Sequence, residues 1–399
     1  MRKNRNIRAT EHEKPKLTFK EYHTLATTSD KFNELQNFYS GKRVFLTGHT
    51  GFKGSWLSLL LKELGAEVYG FSLAPNTEPD LFTILGLESR IRSTIGDIRD
   101  LDALEKAYTE ANPDVVLHLA AQPIVRDSYK DPRYTYETNV MGTVNILECL
   151  RKHPGAVSFL NVTTDKVYEN NDLENHGFTE DEKLDGYDPY SNSKSCSELV
   201  THSYKKSFFL DPADTAAQAH PATAAHPAIS TARAGNVIGG GDFANDRIIP
   251  DCVRATIKSE PIVVRNPYST RPYQHVLEPL YAYLMIALRQ AGEKSLSGYY
   301  NIGPRDEDCI NTGDLADYFV KYWGTPAVWE NHSEANAPHE ASFLKLDCTK
   351  ARTTLGWEPK WHVAEAIGET VAWYKAWNEG EDMYDYTRAQ IQSFFGKTR

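Results

Sequence analysis

The chain has 399 residues, 40% of them hydrophobic and 25% charged, with a formal net charge of −10. That length buries a sizeable core, and the acidic balance disfavours nucleic acid or an anionic membrane as a partner. The five cysteines, Cys149, Cys196, Cys252, Cys309 and Cys348, include no Cys-x-x-Cys pair, which argues against a zinc site or disulfide framework and for a reducing, cytoplasmic setting.

No apolar run reaches the roughly 20 residues of a membrane helix, and the N-terminus lacks a signal-peptide core. Residues 1–37 are polar and mixed in charge, and read as a disordered extension. Glu11, Glu13 and Glu21 count against a basic targeting peptide there.

From Gly41 onward, short apolar runs alternate with helical patterns. The alternation predicts an α/β fold, a Rossmann-type doubly wound parallel sheet, over residues 38–246. Strands are expected at Arg43–Gly48, Glu67–Leu73, Arg92–Asp97, Val115–Ala121, Ser158–Thr164 and Ile229–Asn236. Helices are expected at Phe52–Leu64, Leu101–Ala111, Tyr134–Arg151 and Tyr190–Phe209. In such sheets ligands bind beyond the C-terminal strand ends.

The first strand runs into Thr47-Gly48-His49-Thr50-Gly51-Phe52-Lys53-Gly54, a glycine-rich turn that opens a helix. Gly48 permits the tight turn, Gly51 lets a diphosphate approach the main chain, and Gly54 lets helix and strand pack closely. Phe52 lies in the same turn, and Lys53 is placed to approach a pyrophosphate unless it is simply solvated. The second strand ends Phe71-Ser72-Leu73, with no carboxylate for a ribose and no base for a 2′-phosphate before Asp80. The missing base favours NAD over NADP. At the third strand end Asp97 and Ile98 are candidates for the adenine, with an N-cap as the alternative for Asp97. At the fourth, Ala120 and Ala121 leave room for the nicotinamide half.

The fifth strand ends Thr163-Thr164-Asp165-Lys166, and Tyr190 and Lys194 stand four apart on one helical face. The ammonium is expected to pull the phenol towards neutrality so that it takes an alcohol proton as hydride leaves. Thr164 is placed to hydrogen-bond the reacting hydroxyl.

Residues 211–228, rich in Ala, Pro and His, read as a loop insertion, and His220 and His226 lack a third ligand for a metal. Residues 247–399 are expected to form mainly a smaller substrate-binding lobe, partly interleaved with the first domain. Its helices are expected at Leu277–Gln290, Thr312–Tyr322 and Val363–Trp377, and its strands at Ile262–Arg265, Tyr299–Ile302 and Phe343–Leu346.

Together TGHTGFKG, TTDKVYEN, the Tyr190-to-Lys194 pair, Ala232 to Asp242 (ARAGNVIGGGD) and Thr270 to Val276 (TRPYQHV) resemble the CDP-glucose 4,6-dehydratases, a family of extended short-chain dehydrogenase/reductases. The resemblance runs from about Phe38 to about Trp377. It implies an internal redox dehydration of CDP-glucose on tightly held NAD, feeding deoxysugars of surface polysaccharide such as O-antigen. Tyr190, with Lys194 and Thr164, would take the 4-hydroxyl proton while hydride leaves carbon 4. Asp165 would be the acid for the departing 6-hydroxyl if burial raises its pKa, and Lys166 either the base at carbon 5 or an electrostatic partner.

For substrate binding the resemblance points to Asn236 near the diphosphate, Arg271 as a phosphate clamp and Arg247 as a weaker candidate. Gln122 and Gln274 are candidates for sugar or cytosine. Relatives pair through the helices following Met141 and Tyr190, which implies a homodimer or homotetramer. A 4-epimerase or a dTDP-glucose dehydratase is the near alternative, and Asp165-Lys166 speaks against the epimerase. A silent NAD-binding regulator is the distant one, and it would typically lack Tyr190 or Lys194.

Overall fold

The computed structural model describes residues 30–171, 176–209, 226–333 and 343–396. Its centre is a seven-stranded, wholly parallel sheet. The chain enters through α1 (residues 30–39), then β1 (Arg43–Thr47), α2 (Phe52–Glu63), β2 (Glu67–Ser72), α3 (Leu81–Ile84), β3 (Arg92–Ile95), α4 (Leu101–Ala111) and β4 (Val115–His118). Next come α5 (Val125–Lys130), α6 (Pro132–Tyr136), α7 (Gly142–Lys152), β5 (Ser158–Thr164), α8 (Pro189–Tyr204) and β6 (Ala228–Ala234). The remaining elements are β7 (Val237–Ile238), α9 (Ile248–Ile257), β8 (Ile262–Val264), β9 (Thr270–Arg271), β10 (Gln274–His275), α10 (Leu277–Gly292), β11 (Tyr299–Ile302), β12 (Ile310–Asn311), α11 (Thr312–Trp323), β13 (Trp329–Asn331), α12 (Val363–Glu379) and α13 (Met383–Phe394).

Strand order is β3-β2-β1-β4-β5-β6-β11, so the order reverses between β1 and β4 and opens a crevice at their C-terminal ends. Side-chain alternation along the strands splits the core in two. Phe45, Val116, Phe159 and Ile229 face one way, against Leu104 and Tyr108 of α4 and Ile146 and Leu147 of α7. Val44, Leu46, Leu117 and Leu160 face the other, against Trp56, Leu57 and Leu60 of α2 and the buried length of α10. Being covered on both faces, these strands read as continuous apolar runs.

Several boundaries differ from expectation. The stretch expected to be a disordered extension contains α1, whose Phe32, Leu35 and Tyr39 are buried in the core at helical spacing. Only residues 1–29 of that extension lie outside the described residues, as do residues 211–225 of the loop insertion, His220 among them. Its other end is already structured, since β6 begins at Ala228, and His226 stands edge-on to Phe209. The helix expected over Tyr134–Arg151 is two helices joined by a π-turn at Glu137–Met141.

Tyr299–Ile302, assigned to the second lobe, is the seventh strand of the central sheet, paired with β6. Phe343–Leu346 forms only isolated bridges, from Phe343 to Thr270 and from Leu346 to Phe178. Helices α5, α9 and α13 were not foreseen. All five cysteines are free, and among the described residues no helix is long and apolar enough to cross a membrane.

Candidate active site

A cleft of about 1050 Å³ follows the strand ends, running from the glycine turn past β3, β4 and β5 to the second lobe. Gly48 (φ +79°) has no room for a side chain, since a Cβ there would lie 2.8 Å from Ala120 N. At Gly54 a Cβ would lie 2.0 Å from Gly48 O, so helix α2 seats directly on the turn. Gly51 is exposed, and a Cβ there meets only Gly48 O, at 3.5 Å. Thr47 Oγ1 accepts from Leu119 N and Ala120 N, both at 3.1 Å, which ties the end of β4 to the end of β1. This cradle of main-chain groups at a helix N-terminus fits the pyrophosphate of a dinucleotide.

Ser72, Leu73, Gly96, Asp97 and Ile98 line the far end, with no carboxylate from β2 among them. Asp97 is not an N-cap, for Asp100 caps α4. Its carboxylate lines the cleft already paired. It is forked by the Arg99 guanidinium at 2.6 to 3.1 Å, which holds it below the usual carboxylate range.

The chemical end gathers β5 and α8. Asp188 caps α8 through Ser191 N and Pro189 takes the first helical position, so Tyr190 stands in the first turn facing the cleft. Lys194 is buried and donates to Val162 O at 3.0 Å. Thr164 Oγ1 donates to Asp165 Oδ1 at 3.0 Å and also hydrogen-bonds the Tyr190 phenol. Asp165 is buried, its Oδ2 has no partner among the described residues, and burial raises its pKa. Lys166 lines the same wall, half-buried.

One expectation is overturned. The Tyr190 phenol is not drawn towards neutrality but pushed up to about 12, because burial outweighs its hydrogen bond with Thr164 and nearby Asp165 adds to the rise. Burial likewise brings Lys194 down to about 8, helped by the neighbouring Lys53 charge. Lys53 itself is lowered to about 8 by burial and by Arg247, against the pull of Asp165 and Asp242. It therefore lies among the charged groups at the chemical end of the cleft.

Asn236, Arg247 and Arg271 all line the cleft. Arg247 is held by Asp242 at 2.8 Å, and Arg271, buried in β9, donates to Thr270 O. The two glutamines do not fit their expected role. Gln122 spends its amide on Ile124 and Thr135, bracing the loop after β4. Gln274 is buried beneath the cleft wall and donates to Ile302 O.

Sequence reasoning missed Asn139, which the π-turn carries to Gln122 N, Gln122 O and Ser193 Oγ, joining the β4 loop to α8. It also missed a buried network below the site. Glu198, one turn beyond Lys194, accepts from Thr163 Oγ1, Thr231 Oγ1 and Arg233. Arg233 in turn reaches the Tyr168 hydroxyl at 2.8 Å. A buried glutamate four residues after a helical lysine was the available signal.

A glycine turn at the switch point and a phenol–ammonium helix beside it form the architecture of an extended short-chain dehydrogenase/reductase. Residues 45–370 match the family model described as GDP-mannose 4,6 dehydratase. The chain is 48% identical over 365 residues to a CDP-glucose 4,6-dehydratase of Salmonella typhimurium, covering 91% of this chain and 99% of that one. Its fold resembles an epimerase of Methanothermobacter thermautotrophicus (TM-score 0.71, 21% identity, 88% of this chain and 96% of that one). It also resembles a Bacillus anthracis dTDP-glucose 4,6-dehydratase in complex with NAD (TM-score 0.67, 21% identity, 86% and 99%). The chain belongs to the GDP-mannose 4,6 dehydratase family of extended short-chain dehydrogenase/reductases, and within it to the CDP-glucose 4,6-dehydratases.

Proposed function

We propose that this protein is an NAD-dependent lyase that converts CDP-glucose to CDP-4-keto-6-deoxyglucose with loss of water, for deoxysugar synthesis. The observation that carries the reading is the convergence of Tyr190, Thr164 and Asp165 in the cleft that the glycine turn opens. Bound NAD supplies a reversible hydride acceptor whose positive ring favours the ionised phenol.

Tyr190 takes the proton of the sugar 4-hydroxyl, with Thr164 hydrogen-bonded to the phenol and Lys194 supplying positive charge beneath it. The resulting 4-ketone acidifies carbon 5. Lys166 stands on the wall where that proton departs, as base or as charge. Asp165, whose pKa burial raises, gives a proton to the departing 6-hydroxyl, and the hydride then returns to carbon 6 as carbon 5 regains a proton, which completes the 6-deoxy sugar. Asn236, Arg271 and Arg247 hold the diphosphate, the arginine forks matching its oxygens.

Exposed Met141, Leu199 and Phe208, at the helices that pair in relatives, support a homo-oligomer. Five free cysteines support a reducing cytoplasm.

The test is to incubate the purified chain with NAD and, separately, CDP-, dTDP-, UDP- and GDP-glucose, following the alkali-induced absorbance of 4-keto-6-deoxy sugars. Turnover of CDP-glucose above the others is expected. Turnover of dTDP-glucose with none of CDP-glucose would refute the nucleotide assignment.

A further inference from the structure

At the mouth of the cleft one carboxylate oxygen serves two guanidinium groups. Asp246 Oδ1 lies 3.3 Å from Arg126 Nη1 and 3.3 Å from Arg265 Nη2. Arg126 sits in α5 of the sheet domain, Arg265 directly follows β8 of the second lobe, and all three residues line the cleft. Asp246 adopts φ +59°, a left-handed conformation that aspartate tolerates better than most residues, at a cost of about 1 kcal/mol.

Two planar forks sharing a single oxygen are underfilled. Each offers five donors in a geometry that matches phosphate, and a diphosphate carries oxygens enough to engage both. The side chains are 53%, 41% and 34% exposed for Arg126, Arg265 and Asp246, so the existing pairs are weak and readily exchanged. Arg265 has a second carboxylate, Asp251, at 3.7 Å, whereas Arg126 has no other ion pair among the described residues. A ligand with one negative charge gains little by replacing Asp246, while one with two or three gains more.

We propose that Arg126 and Arg265 form an outer clamp that adds to the hold of Asn236, Arg247 and Arg271 on the diphosphate of the nucleotide sugar, and that Asp246 fills this outer clamp as an internal anion until the substrate displaces it. The proposal rests on the nucleotide-sugar reading above. Asp246 thereby selects for diphosphate over uncharged or singly charged nucleosides, because only the more highly charged ligand outcompetes it.

The experiment is calorimetric titration of the full chain, with NAD present, using CDP and, separately, cytidine. Asp246→Asn is expected to tighten CDP binding about tenfold, and Arg126→Ala and Arg265→Ala each to weaken it about tenfold, the size of one charge-assisted hydrogen bond. Cytidine binding should be the same in all four proteins. In the Arg126→Ala background, Asp246→Asn should gain less than it does alone, since the two residues act as a pair.

Asp246→Asn binding CDP no better than the natural chain overturns the proposal, as does an arginine variant that weakens cytidine as much as CDP. Circular dichroism on each variant separates misfolding from lost contacts, and Arg126→Gln repeats the test should the alanine variant misfold. If the natural chain binds CDP no better than cytidine, the nucleotide-sugar reading itself fails, a result distinct from variants that leave normal CDP binding untouched.

Discussion

Lys194 donates its ammonium to the Val162 carbonyl at 3.0 Å, two residues before Thr164, so the helix that carries Tyr190 is fastened to the strand that leads into Asp165. That hydrogen bond ties the two halves of the site together.

With Tyr190 as the proposed proton acceptor, Tyr190→Phe should lower kcat by about 10² to 10⁴ while CDP affinity changes by less than about threefold. The 4-keto sugar assay reads the first and calorimetry the second. A variant within tenfold of the natural kcat would reassign the role.

Asp165 and Lys166 separate by isotope. In heavy water, Asp165→Asn should still incorporate deuterium at carbon 5 but form little dehydrated product. Lys166→Ala should lose the incorporation if the amine is the base. Mass spectrometry of recovered substrate distinguishes them, and unchanged incorporation in Lys166→Ala leaves that residue a purely electrostatic part.

The glycines of the turn differ in what they protect. Gly54→Ala sets a methyl 2.0 Å from Gly48 O, so it should destabilise the fold by about 1 to 3 kcal/mol. Gly51 has an ordinary φ of −76° and only a 3.5 Å contact, so Gly51→Ala should keep its melting temperature and bind NAD more weakly, because the methyl would narrow the turn proposed to cradle the pyrophosphate. Equal melting temperatures for the two variants would contradict this division.

Below the site, Glu198 and Arg233 are a buried ion pair at 3.0 Å. Glu198→Gln or Arg233→Met should each cost about 3 to 5 kcal/mol in denaturant unfolding, because either leaves an uncompensated charge in the core. The double variant should cost less than the sum of the two.

Acid should destabilise the fold through three buried histidines. Unfolded, each takes a proton near 6.5, whereas burial keeps His49 neutral to about 4 and His118 and His275 neutral to about 3. The unfolded chain binds more protons in that window, so stability is full above 6.5 and falls as the pH drops through it, by about 1.4 kcal/mol per unit for each histidine. Denaturant unfolding at stepped pH checks the slope, and His118→Asn should flatten it.

Local spacing carried much of this protein. The glycine turn, the alternating strands and the four-residue interval between Tyr190 and Lys194 are relations among neighbours, and neighbours obey the 2.0 and 3.6 residue periods whatever the fold. That is why the site's floor was legible. The helix α13 was overlooked because its Met383, Ile391 and Phe394 meet the core among polar residues that dilute the pattern. Gln274 misled because its neighbours in the TRPYQHV stretch do line the cleft while its own side chain points into the core.

The sequence by itself determined six of the seven strands of the sheet, the dinucleotide turn and the family, since each is written in short intervals and residue types. Tertiary structure alone decided which distant charges meet, as Arg126 and Arg265 meet at Asp246, and which way burial shifts a group, as it raises the Tyr190 phenol. Desolvation and long-range pairing depend on what the folded chain packs around a group, and no local pattern of residues encodes that.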